Sequence, residues 1–231
     1  MQNKKQKLTA TNHTRKCDFF DQGKTSSLCN LTYSVKIGNL LNEGKITIDD
    51  ISRLLHRGID INFDEMNNYG KTPLLIACQQ NNIEVVSFLL NHRANINQVD
   101  KYECTPLFIA SQEGHVEVVS LLLNHKVNIN HGDRWGHTPL FAACHHGHVE
   151  VVSLLLEYGA NVNQANMYGN TPLLASYMNN QIEIFSLLLN NGANVIQADA
   201  DGTIPLRIAI RSHNMQIVFL LLKRKGKILL Q

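Results

Sequence analysis

Apolar residues recur along this chain in blocks that fit helices. In Glu150-Val151-Val152-Ser153-Leu154-Leu155-Leu156 they fall at i, i+1, i+4 and i+5, which is one broad helical face. Matching blocks follow Glu84, Glu117 and Glu183, always 33 residues apart. A glutamate in the first turn suits the positive end of the helix dipole. A shorter apolar block precedes each of these and opens on Thr-Pro-Leu, at Thr72, Thr105, Thr138 and Thr171; Ile204-Pro205-Leu206 keeps the register. Threonine is a good N-cap, and proline fits the first turn, where no amide donor is needed. Leu140 to His145 therefore reads as a short inner helix, with a second, outer helix after Gly147. Asn81, Gly114, Gly147, Asn180 and His213 hold the junction between the two, where a left-handed residue is common. Gly136-His137 reads as a turn between one unit's outer helix and the next inner helix.

A single unit of this length is too small to bury an apolar face, so stacked neighbours must supply one continuous core. The strings Thr105-Pro106-Leu107, Gly114-His115-Val116-Glu117-Val118-Val119, Leu121-Leu122-Leu123 and Gly159-Ala160-Asn161-Val162-Asn163 resemble the ankyrin repeat family. The resemblance implies an all-α solenoid of stacked antiparallel helix pairs with β-turn fingers. It also implies a non-enzymatic protein-interaction module, a scaffold or adaptor that binds a partner protein or extended peptide through its concave face and finger tips. In one respect the chain departs from the family: the His that usually follows Thr-Pro-Leu is replaced by Leu75, Phe108, Phe141, Leu174 and Arg207. Apolar packing is expected where the family has a Thr–His bond. Arg93 and Lys126 stand where Gly159 closes an outer helix, and each costs about 1 kcal/mol if it is left-handed.

The pattern divides the chain into a polar, basic N-terminal segment (1–31) expected to be disordered, a degenerate capping repeat (32–67), five repeats (68–226) and a C-terminal tail (227–231). Within the cap, Tyr33 to Asn42 and Thr47 to Arg57 are expected to pair as helices. The apolar Ile228-Leu229-Leu230 is expected to fold back over the last repeat, with coverage by a partner as the alternative.

Composition narrows the function. Net charge is +2, too small to call for nucleic acid. Basic residues gather at the ends: residues 1–33 carry six Lys/Arg against two Asp/Glu, and residues 223–231 carry four Lys/Arg. No apolar run approaches the roughly 18–20 residues of a membrane span. The five cysteines are irregularly spaced, with Cys78 and Cys144 at small buried positions, which suits a reducing, intracellular and cytoplasmic setting. No nucleophile elbow, phosphate loop or metalloprotease helix is present, and the glutamates repeat too regularly to mark one active site. The expectation is a monomer that binds another protein, with no catalytic residues, cofactor or metal. His131, Asp133, His137, Cys144, His145, His146 and His148 form the densest cluster of ligand-type residues, and they read better as recognition residues than as a zinc site.

The candidate partner-binding residues vary around the constant frame. Tyr69, Tyr102, Trp135 and Tyr168 occupy one finger position in four successive units, so they are expected to form an aromatic row. Such residues are favoured interface hot spots. Lys71, Cys104, His137 and Asn170 lie beside them, Arg134 and Met167 flank them, and His145, His146 and Met178 come from inner-helix ends. Protonation near pH 6.5 is expected to charge His137, His145 and His146 together. The family resemblance also makes Asn97, Asn130 and Asn163 possible modification sites, because they match positions that asparaginyl hydroxylases modify in animal ankyrin proteins. The alternative function is therefore a hydroxylation substrate, or a segment of a larger regulatory protein.

Overall fold

The computed structural model describes residues 47–56, 58, 60–62, 69–211 and 213–228. These contain eleven helices and no strand. Helix α1 (Ile48–His56) comes first, followed by five pairs: α2 (Pro73–Gln79) with α3 (Ile83–Asn91), α4 (Pro106–Glu113) with α5 (Val116–Leu123), α6 (Pro139–His146) with α7 (Val149–Glu157), α8 (Pro172–Met178) with α9 (Ile182–Asn190), and α10 (Pro205–Arg211) with α11 (Met215–Ile228). The short helices α2, α4, α6, α8 and α10 pack on one another in chain order and form one layer. Helices α1, α3, α5, α7, α9 and α11 form a second layer against it. The first 46 residues, including the expected disordered segment and the first helix of the cap, lie outside the described residues, as do Cys17 and Cys29.

The local signals act as the spacing predicts. Thr72, Thr105, Thr138 and Thr171 are extended at the N-cap, and each Oγ1 accepts a hydrogen bond from the amide three residues on, at 3.1–3.3 Å. Asn81, Gly114, Gly147, Asn180 and His213 all have positive φ. At Gly114 the requirement is double, because a Cβ there would lie 2.5–2.9 Å from the His148 ring of the next repeat. Thr47 and Asp50 exchange a capping box at the start of α1. The two glycine replacements behave differently. Arg93 is left-handed at φ 65°, while Lys126 is not. Helix α5 ends earlier, at Leu123, and the chain closes through Val127 N–H to His125 O at 2.8 Å, so the expected strain at Lys126 does not arise.

The core is continuous between the layers. On α7, Val151, Val152 and Leu155 are fully buried, each contributing about 1.5–3 kcal/mol relative to exposure. Cys78 and Cys144 are buried in the inner layer, and burial pushes both thiols well above their ordinary range. A smaller separate cluster joins Leu75, Phe108, Ile109 and Ala142 beneath the fingers, with Cys104 packed against it. Two of its members, Leu75 and Phe108, take the position where the family places histidine. Helix α11 runs on to Ile228, so the first two residues of the expected tail are helical. Residues 229–231 lie outside the described residues.

Candidate functional site

Four successive fingers are each built on one Asp or Asn side chain. Asp133 Oδ1 accepts the amides of Trp135 (3.0 Å) and His137 (2.8 Å), and its own N–H donates to His137 O (3.0 Å). Asp100, Asn166 and Asp199 make the same pair of side-chain bonds in their fingers, at 2.8–3.0 Å. Asp100, Asp133 and Asn166 are buried. Of these Asx residues the sequence singled out only Asp133, and as a ligand-type residue rather than a finger anchor, although Asp100, Asp133, Asn166 and Asp199 repeat at the same 33-residue interval as Thr-Pro-Leu.

Neighbouring fingers are tied through the backbone at the aromatic position. The carbonyls of Tyr69, Tyr102, Trp135 and Tyr168 accept the amides of Lys101 (3.1 Å), Arg134 (3.0 Å), Met167 (2.9 Å) and Ala200 (2.9 Å) on the next finger. This fixes the four aromatics at one register position in a row. The rings of Tyr69 and Tyr102 lie 6.4 Å apart, and those of Tyr102 and Trp135 6.5 Å apart. Tyr168 stands on the following finger and is without a ring contact among the described residues. Lys101 Nζ sits 4.9 Å from the Tyr69 ring and 5.5 Å from Tyr102. Arg134 Cζ sits 5.0 Å from Tyr102 and 5.7 Å from Trp135, and the guanidinium also donates to Lys101 O. Rings and cations thus alternate along the edge, as cation–π attraction favours. Tyr69 and Tyr168 are 50% exposed, Trp135 37% and Met167 62%.

A second row of rings leaves the first at Trp135 and runs toward the end of α6. His137 lies 6.1 Å from Trp135 and 4.6 Å from Phe141; Phe141 lies 6.4 Å from His145; His145 lies 5.0 Å from His146. The three histidines occupy three different settings. His137 Nδ1–H donates to buried Asp133 (3.1 Å), and His146 Nδ1–H donates to Ala142 O (3.0 Å). His145 Nδ1 accepts from the Asn179 amide of the next repeat (3.0 Å). Partial burial, aided by His146 and His137, holds the His145 imidazolium below its ordinary value.

The remaining candidates are distributed around these rows. Lys71 Nζ donates to Gln79 Oε1 (2.6 Å), and Asn170 is held by Asn166. Met178, at the end of α8, is 68% exposed. Cys104 is half-buried. Desolvation first, then the Asp100 and Asp133 carboxylates, push its thiol up to about 12. His148 Nε2–H and His115 Nε2–H each donate to an inner-helix carbonyl of the preceding repeat, Gln112 O (2.9 Å) and Gln79 O (3.0 Å). Among the described residues no three His, Cys, Asp or Glu side chains are grouped to hold a metal.

Asn97, Asn130 and Asn163 lie in the loops between each outer helix and the following finger, three residues before Asp100, Asp133 and Asn166, and each Oδ1 accepts the amide of the next repeat's Asn128, Asn161 or Asn194 at 2.7–2.9 Å. Asn62 does the same for Asn95 (2.7 Å). These carboxamides therefore fasten one repeat to the next. Among the described residues no helix is long and apolar enough to cross a membrane.

No curated protein matches the chain. A family model described as ankyrin repeats (3 copies) matches residues 42–133, 92–166, 125–199 and 162–231. With its paired helices, Thr-Pro N-caps and tied fingers, the chain belongs to the ankyrin repeat family, whose members generally bind other proteins and generally lack enzymatic activity.

Proposed function

We propose that this protein is a non-enzymatic interaction module, a scaffold or adaptor, whose binding surface is the finger edge together with the exposed ends of the inner helices. The observation that carries this reading is the row of four aromatic side chains, three exposed and Tyr102 half-buried, interleaved with cations at one register position of successive fingers. Trp135, where the two rows of rings meet, is the central anchor, with Tyr102 and Tyr168 beside it and His137, His145 and His146 along the second row. The backbone beneath them is fixed by buried Asx side chains and inter-finger bonds, so binding orders little that the fold has not already ordered. An extended peptide or an irregular protein surface suits this chemistry.

The test is an affinity pull-down with the wild type and with a Trp135→Ala/Tyr168→Ala double variant, followed by titration of the captured protein. Trp135→Ala alone is expected to weaken binding by about 2 kcal/mol or more, with the far-ultraviolet circular dichroism unchanged. Unchanged affinity in the double variant removes the finger edge from the interface.

A further inference from the structure

The side chains between the rings say what kind of segment the finger edge selects. Resting on the interaction reading above, we propose that the edge from Tyr69 to Trp135 reads an extended, negatively charged segment of a partner protein, with carboxylates at alternate residues. Three observations lead there.

The first is charge. Lys101 and Arg134 are exposed, and neither is in an ion pair among the described residues. The carboxylates below them, Asp100 and Asp133, are buried and occupied by backbone amides, and Glu103 on the same edge is paired with neither cation. Arg134 spends one N–H on Lys101 O and keeps donors for a carboxylate; guanidinium and ammonium groups offer donors only.

The second is spacing. Successive rings stand 6.4 and 6.5 Å apart, and the two cations sit in equivalent gaps one step apart. Alternate side chains of an extended strand repeat at about 6.6–6.8 Å. A polyproline turn repeats at about 9.3 Å and an α-helical turn at about 5.4 Å, so the extended chain fits the row best.

The third is what the rings leave open. Lys101 lies over Tyr69 and Tyr102, and Arg134 over Tyr102 and Trp135. With cations between the rings, unstacked bases lack the open aromatic platform that single-stranded nucleic acid needs. Two exposed cations are also far from the dense basic stripe that tracks a phosphate backbone. Met167 and Ala200 stand on the next two fingers where Lys101 and Arg134 stand on the earlier ones, which confines the acidic contact to the first three fingers.

The experiment uses the full chain and fluorescence anisotropy with four labelled probes. These are an octapeptide of alternating Glu and Thr, its block isomer with four Glu followed by four Thr, the alternating Lys/Thr peptide, and a single-stranded thymidine oligonucleotide. The alternating Glu peptide is expected to bind tighter than its block isomer. The Lys101→Gln/Arg134→Gln variant should lose about tenfold, as two solvent-exposed charge contacts supply. Lys126→Gln, remote from the fingers, should leave binding as it was. Raising salt to about 0.5 M should erase most of the preference. Equal affinity for the two Glu isomers, absent binding of both, tighter binding of the oligonucleotide, or indifference to the double substitution each overturns the proposal. The two readings separate cleanly. If Trp135→Ala/Tyr168→Ala abolishes capture of a partner that Lys101→Gln/Arg134→Gln still captures, the interaction module stands and the acidic segment does not.

Discussion

Replacing Asp133 with alanine tests whether one buried carboxylate shapes the finger that presents Trp135. The side chain is almost fully buried, and Oδ1 accepts two backbone amides, from Trp135 at 3.0 Å and His137 at 2.8 Å. A hydrogen bond to a charged group contributes about 1.5–3 kcal/mol net. Water recovers part of that at a finger, so Asp133→Ala is expected to cost about 2–4 kcal/mol. Asp133→Asn is the informative companion. Asn166 does the same work on the next finger, with both bonds at 2.9 Å, so a neutral carboxamide preserves the geometry and loses only charge assistance and the full His137 contact. That variant should stay within about 1 kcal/mol of the wild type. Urea unfolding followed by circular dichroism gives the global cost. Fluorescence reports the finger itself, because Trp135 is the chain's one tryptophan. In a stack held by nearest-neighbour contacts, the alanine variant should show an early fluorescence transition, before helicity is lost. An alanine variant within about 0.5 kcal/mol of wild type, or an asparagine variant as costly as alanine, would refute the claim that these two bonds set the finger.

Two further outcomes follow from the backbone and from the histidine row. Gly169→Ala and Gly159→Ala both place a side chain at positive φ, 77° and 84°, but a Cβ at Gly169 would lie 2.7 Å from Ala200 N and 2.9 Å from Asp199 backbone atoms, while Gly159 has open space. Gly159→Ala should cost about 1–2 kcal/mol and Gly169→Ala clearly more in the same urea experiment; equal costs would mean that the fingers are not held that close. For His145 the lowered pKa means that the unfolded chain binds the extra proton first, so its contribution to stability is whole above about pH 6.5 and falls as pH drops from there toward the lowered native value. The effect is small for so exposed a ring. It should appear as a difference in unfolding midpoint between pH 7.5 and 5.5 that shrinks in His145→Gln, and an identical pH response in both proteins would contradict it.

The repeats were legible because their signals are local and recur. Thr138, Pro139 and Gly147 each specify a backbone state without reference to distant residues, and the 33-residue step multiplies the signal across units. Arg93 and Lys126 show where that logic ends. They share a sequence position, yet only Arg93 is left-handed: after α5 the chain closes through Val127 N–H to His125 O, whereas Ala94, Ala160 and Ala193 at the equivalent position donate back to the outer helix. The finger position of the aromatics was equally legible. The placement of Lys101 and Arg134 between the rings was not, since long flexible side chains have no sequence signal for where their heads come to rest. The histidine row was read as one titrating group, but His137 rests on a carboxylate, His146 on a carbonyl and His145 against an amide from another repeat. The partner atoms for His145 come 34 residues later, beyond the reach of any local pattern.

The same separation explains how one frame can carry a specific surface. The groups that hold the array are buried or paired within it: the Thr Oγ1 caps, the Asx carboxylates and the Asn carboxamides that bridge repeats. None of their hydrogen-bonding capacity need change when the residues beside them change. Tyr102, Arg134, Trp135 and Met167 sit next to those anchors but contribute only their backbone to them. Their side chains add only edge contacts between fingers, the Arg134 bond to Lys101 O and the ring and cation stacking, so they can vary at small cost to the stack, and a partner meets them already spaced by the bonds between fingers. Specificity at this edge should then move with single side chains and leave stability nearly unchanged, whereas substitutions one residue away, at Asp133 or Gly136, should move stability first and binding only as a consequence.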